Sequence, residues 1–276
     1  MSGDAKLPVT VPLHAGLPPE AEAELRQALA LLRSGGGRLA RAMSRVAHIA
    51  GAASAPLLRG VGLTAETLQP VIENVMERAF DVAILRQRKT ARFASPTRAA
   101  LAVAASGAAG GLVGLPGFLP DAAFTTLLIL RNIAAIAREH GEDPVQPDTR
   151  RACLEVFMLG APRDAPGSND FGAGEQPDSG YFAARLMLQG GPAIALLRQA
   201  AARFGVVLSQ KLAAQAVPIV GAVGGAVVNA AFLAHYRAIA TAHFTIRRLE
   251  ADYGSVLVRQ VSDGWTDHSI LHRQTI

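Results

Sequence analysis

Two stretches of this chain carry no charged and no histidine side chain: 22 residues over 99–120 and 23 residues over 212–234. Both are rich in Gly and Ala, both contain proline, and they run up to Asp121 and His235. A stretch of that length and composition folds in one of two ways. As helix it reaches across a hydrocarbon core of roughly 30 Å, or its small side chains let helix backbones approach closely inside a bundle. Gly107 with Gly111, and Gly110 with Gly114, are small-xxx-small pairs suited to either setting.

The remaining composition fits helices. Half of the 276 residues are hydrophobic but only 5% are aromatic, and β-branched alternation is scarce. The chain is therefore predicted to be all-α: a compact multi-helix bundle with two Gly/Ala-rich helical hairpins at its centre. Residues 1–17 read as a flexible lead-in, 18–254 as one helical domain with a loop insertion over 160–178, and 255–276 as an unassigned tail.

Local signals set the expected elements. Pro18, Pro19 and three early glutamates open a helix that should stop at Gly35, Gly36 and Gly37. A long helix is expected over 64–89. Pro116 and Pro120 should break the first uncharged run, with Asp121 capping the helix that follows and Gly141 ending it. Asp148 is expected to cap a helix through Leu159, residues 181–189 to be helical, a further helix to reach Phe204, and Gly254 to end the helix of the second run. The segment Gly117-Phe-Leu-Pro-Asp121-Ala-Ala-Phe124 also echoes Gly225-Ala-Val-Val-Asn229-Ala-Ala-Phe232.

Charge suggests a partner. The net charge is +5, and of 27 basic residues only Lys6, Lys89 and Lys211 are lysine. Arg38, Arg41 and Arg45 share one helix face. Arg86, Arg88, Lys89, Arg92 and Arg98 precede the first uncharged run with no acid among them. A basic flank beside an apolar segment is the pattern of anchorage at an anionic membrane face. These residues, with Lys211, are the candidate lipid- or anion-binding positions. Nucleic acid is not expected, because zinc-finger spacing, RNP aromatics and a basic recognition helix are all missing from the sequence. The polar N-terminus lacks a signal-peptide core, and one cysteine allows no internal disulfide, so a cytoplasmic setting is expected, at or near the inner membrane face.

Catalytic signals are sparse. There is no Walker-type Gly-x4-Gly-Lys-Ser/Thr, no Gly-x-Ser-x-Gly and no His-Glu-x-x-His. No cofactor and no metal site is expected. Glu155 stands out as an acid in the apolar stretch Cys153-Leu-Glu-Val-Phe-Met-Leu-Gly160. A carboxylate buried there needs a cation, with Arg131, Arg185 or Lys211 as partners and Asn229 as a further polar core residue. An enzyme acting on a lipid or other apolar substrate would need Glu155, Asp121 and His235 or His243 to converge.

Three blocks resemble the bacterial EcsC family: Gly111-Leu-Val-Gly-Leu-Pro-Gly-Phe-Leu-Pro-Asp121, Cys153-Leu-Glu-Val-Phe-Met-Leu-Gly160, and Lys211-Leu-Ala-Ala-Gln-Ala-Val-Pro-Ile-Val-Gly-Ala-Val-Gly-Gly225 with Asn229 and Phe232. Ala161 stands where the family more often has glycine. The resemblance spans about 63–253. It implies an intracellular, helical, membrane-associated protein and transfers no catalytic residue. The family's name comes from a gene beside those of an ABC transporter, which adds a membrane-transporter partner as a third expectation. The ligand expected from the residues themselves is an anionic lipid or an acyl chain.

Overall fold

The structure is a computed structural model, and it describes residues 16–50, 78–79, 96–113, 115–160, 177–189 and 218–273. Those residues form seven helices and no strand: α1 (Pro19–Ala50), α2 (Pro96–Val113), α3 (Leu115–Glu139), α4 (Pro147–Leu159), α5 (Pro177–Gln189), α6 (Pro218–Tyr253) and α7 (Ser255–Arg273). The expected helix over 64–89, apart from helical Arg78 and Ala79, the expected helix up to Phe204, and most of the 160–178 insertion lie outside the described residues.

The 36 residues of α6 form the central pillar, about 54 Å long at 1.5 Å per residue. It packs most extensively on α2 and α1, then on α3, α7 and α4. Its faces serve two cores. Val228, Phe232, Leu233, Tyr236, Ile239, Ala240 and Phe244 join α2, α3 and α4 in one. Ala242, Ile246 and Leu249, at spacings of four and three, meet α1, α5 and α7 in the other. Among the described residues no helix is long and apolar enough to cross a membrane.

Four expectations need correction. The helix of residue 19 runs through Gly35–Gly37 to Ala50. Glycine ends a helix when it turns left-handed, and the described glycines that do so are Gly141 (φ 83°) and Gly254 (φ 90°). Burial of Leu39 beyond the triplet supplies the packing that overrides a propensity cost of about 1 kcal/mol per glycine. Next, α3 begins at Leu115, so Pro116 sits in its first turn, where no amide donor is needed, and Pro120 is carried inside the helix. Asp121 therefore caps nothing; it is an interior residue of α3. Finally, α4 is capped by Gln146 through backbone geometry without a side-chain bond, with Pro147 opening the helix and Asp148 in its first turn.

Three further expectations, each on a helix bound, match. Gly141 ends α3, residues 181–189 lie within α5, and Gly254 separates α6 from α7. The unassigned tail is α7. It docks through buried Val258 and Ser262, and the guanidinium of Arg26 from α1 stacks over the Trp265 ring at 4.6 Å.

Candidate functional site

Two buried polar clusters are built along α6. The first lies where α2, α3 and α6 meet. Asp121 accepts from Ser106 Oγ at 2.6 Å and from Asn229 Nδ2 at 2.9 Å, with Thr125 Oγ1 at 3.5 Å. The same Asn229 amide donates to the Val103 carbonyl at 3.0 Å. A carboxylate that is 3% exposed is thus tied to all three helices.

The second cluster lies about 21 Å further along α6, fourteen residues at the helical rise. Here α4 supplies Glu155. Its helix is buried from Ala152 to Met158, and Glu155 itself is 2% exposed. Arg151, one turn earlier on the same face, donates to Oε1 at 3.3 Å. Arg185 of α5 brings Nε to 4.0 Å from Oε2, and His243 of α6 brings Nε2 to 3.7 Å from the same oxygen. Arg185 also pairs with Glu250 at 2.7 Å. The Tyr181 hydroxyl shares a hydrogen bond with His243 Nδ1 at 2.9 Å. Glu155 Oε2, His243 Nε2 and Arg185 Nε are buried without a hydrogen-bond partner among the described residues.

The electrostatics follow from burial. Removal from water pushes the Glu155 carboxyl above its ordinary range, and Arg185, Arg247 and Arg151 pull against that. Burial, with Arg185 and Arg247 adding, holds the His243 imidazole well below its ordinary range. Burial also raises the Tyr181 hydroxyl. The joint therefore holds a reluctant acid beside a neutral imidazole.

The predicted site residues fall as follows. Glu155, Arg185 and His243 come together. Asp121 and Asn229 belong to the other cluster. His235 donates Nε2 to the Gly160 carbonyl at 2.8 Å. Arg131 is half-buried on α3, and the described ion-pair partners of Glu155 are Arg151, Arg185 and His243 instead. Glu155 and His243 come together, but Asp121 lies in the other cluster, bonded to Ser106 and Asn229, and His235 bonds Gly160. Among the described residues no group of three or more His, Cys, Asp and Glu is placed to hold a metal ion. Arg41 is exposed on α1. Arg86, Arg88, Lys89, Arg92, Lys211 and the side chains of Arg38 and Arg45 lie outside the described set.

Sequence reasoning missed Arg151, Tyr181, Glu250, Arg247 and Glu142. Arg151 carried a readable signal, its position four residues before Glu155. Tyr181, four residues before Arg185, and Arg247 and Glu250, four and seven after His243, carried the same kind of signal, whereas Glu142 carried none.

Comparison with curated proteins and with solved structures gave no match. A family model, described as the EcsC protein family, matches residues 57–249, which is more than half of the chain and takes in both polar clusters except Glu250. With helices throughout its described part and that match across its central region, this chain belongs to the EcsC protein family.

Proposed function

We propose that this protein docks on anionic lipid at a membrane surface. The observation that carries the proposal is the outer side of the helices joined at Asp121. Leu101 of α2, Phe124 of α3 and Val227 of α6 are all exposed, at 65%, 40% and 46%. Each stands within five residues of a member of the Asp121 cluster. In α2 beyond Arg98, and in α6 before His235, no charged side chain accompanies them. Exposed apolar side chains on charge-free helices are suited to the acyl boundary of a bilayer. The sequence places Arg86, Arg88, Lys89 and Arg92 before α2 and Arg98 in its first turn, where guanidinium groups would meet phosphate headgroups.

Vesicle flotation tests this. The full chain should float with vesicles of phosphatidylcholine and an anionic phospholipid at low salt, and lose most of that binding on neutral vesicles or in 0.5 M salt. Absence of binding to anionic vesicles at low salt would overturn the proposal. Substitution of Leu101, Phe124 and Val227 together by serine should weaken flotation by at least several-fold.

A further inference from the structure

The joint of α4, α5 and α6 contains a titratable group for which lipid docking has no use. His243 is fully buried, at 0% exposure. Around it three arginines and three glutamates are matched one to one. Arg151 pairs with Glu155 at 3.3 Å, both from α4. Arg185 of α5 pairs with Glu250 of α6 at 2.7 Å. Arg247 of α6 pairs with Glu142, in the connection from α3 to α4, through two bonds of 2.7 and 3.0 Å. From α5, Tyr181 is the other titratable group facing the ring. The end of α3 contributes His140, set against Phe244 and bonded to Thr245. From α1, apolar Leu25, Ala28 and Leu29 share a core with Tyr181, Ala242 and Ile246.

With His243 neutral, the charges of these three pairs cancel. A proton on the ring would make a fourth cation in a closed, dry joint. Its nearest carboxylate oxygen, Glu155 Oε2 at 3.7 Å, lies beyond hydrogen-bond distance and also faces the Arg185 guanidinium at 4.0 Å, while Arg151 holds the other oxygen, Oε1. We propose that His243 is an acid-operated latch, whose protonation loosens α4 and α5 from α6.

The direction follows from linkage. Burial and the two neighbouring arginines depress the folded-state pKa of His243 below the unfolded value near 6.5. Between the two values the unfolded chain binds more protons, so stability is present above pH 6.5 and is lost as pH falls below it. Glu155 acts in the opposite sense, because its folded-state pKa is raised. A variant at position 243 separates the two.

The test needs no lipid, so its outcome is independent of the docking proposal. Thermal melting of the full chain is followed from pH 7.5 to 5.0 for the wild type and for His243→Gln, which retains a side chain able to bond Tyr181. Below pH 6.5 the wild type should lose about 3 °C more than the variant for each pH unit. Parallel profiles would overturn the latch. Should His243→Gln not fold, ¹³C-imidazole NMR of the wild type decides the matter. The His243 signal should stay that of a neutral ring until the protein begins to unfold. A signal that titrates near pH 6.5 within an intact fold would overturn the proposal.

Discussion

Asn229 donates to Asp121 at 2.9 Å across 108 positions of the chain, and the two stand at equivalent places in the internal echo of Gly117–Phe124 and Gly225–Phe232. The bond joins α3 to α6, and the second hydrogen of the same amide reaches the Val103 carbonyl of α2. The echo ends there: Phe124 is turned to solvent, while Phe232 is buried in the core. One buried amide thus ties three helices together at a single point.

Asn229→Ala should therefore destabilise the protein by about 2–3 kcal/mol, since it removes two hydrogen bonds and leaves a buried carboxylate with less support. Urea denaturation checks this. Asp121→Asn keeps the shape and the Ser106 contact and should cost less. Equal stability of wild type and Asn229→Ala would mean that this tie between the three helices adds no stability.

Gly160 is held by close approach, not by its backbone angle. A Cβ built there falls 2.7 Å from Tyr236 Cδ1 and closer still to Cε1. Tyr236 is buried and stacked on Phe157 at 4.7 Å between ring centroids, so it has little room to give way. Gly160→Ala should cost about 1–3 kcal/mol. Tyr236→Phe should cost under about 1 kcal/mol, because the hydroxyl makes only a 3.5 Å bond to the Phe157 carbonyl. Combining Gly160→Ala with Tyr236→Leu should be less harmful than the sum of the two.

Cys153 is a gauge of how firmly α4 is seated. The thiol is 1% exposed, and burial pushes its pKa up to about 12, with Glu142 adding and Arg247 and Arg138 opposing. At pH 8 roughly one thiol in ten thousand would be ionised at such a pKa. Native protein should label with iodoacetamide only as α4 opens, while protein in 6 M guanidinium should label at the rate of a free thiol. Rapid labelling of the native protein would place α4 at the surface, contrary to its burial.

Much of the architecture was legible because it depends on spacing. The all-helical class, the helix at 181–189, and the stops at Gly141 and Gly254 all follow from pattern and turn chemistry. The misreadings have two causes, tertiary packing that overrides a local signal and a proline that opens a helix ahead of the acid taken for its cap. Gly35–Gly37 stay helical because packing beyond them holds α1 together, and Asp121 lies within α3 because Pro116 opens the helix earlier than expected. The site divides in the same way. Arg185 stood among the expected partners of Glu155, but Tyr181 and His243 meet only once α5 lies on α6. No spacing along the chain encodes that encounter.

Glu155 gives the last prediction, and its sign opposes that of His243. Its folded-state pKa is raised, chiefly by burial, above the unfolded value near 4.3. Between those values the native state binds more protons than the unfolded chain. The carboxyl's contribution is therefore fully present below the unfolded pKa and is lost as pH rises through the folded one. Glu155→Gln removes this dependence while leaving an amide oxygen for Arg151. Relative to wild type, the variant should be at its worst near pH 4 and improve toward pH 8, the change amounting to at most about 1.4 kcal/mol for each unit by which the pKa is raised. Glu155→Leu is the contrasting case. It leaves the guanidinium of Arg185 with Glu250 but strips Arg151 of this carboxylate, while its bond to the Leu188 carbonyl stays. It should be less stable than Glu155→Gln at every pH, as expected when one partner of a buried ion pair is removed. Urea titrations of the three proteins at pH 4.5, 6 and 8 measure the trend. A Glu155→Gln penalty that grows with pH would show that the arginines outweigh burial in setting this carboxyl's charge.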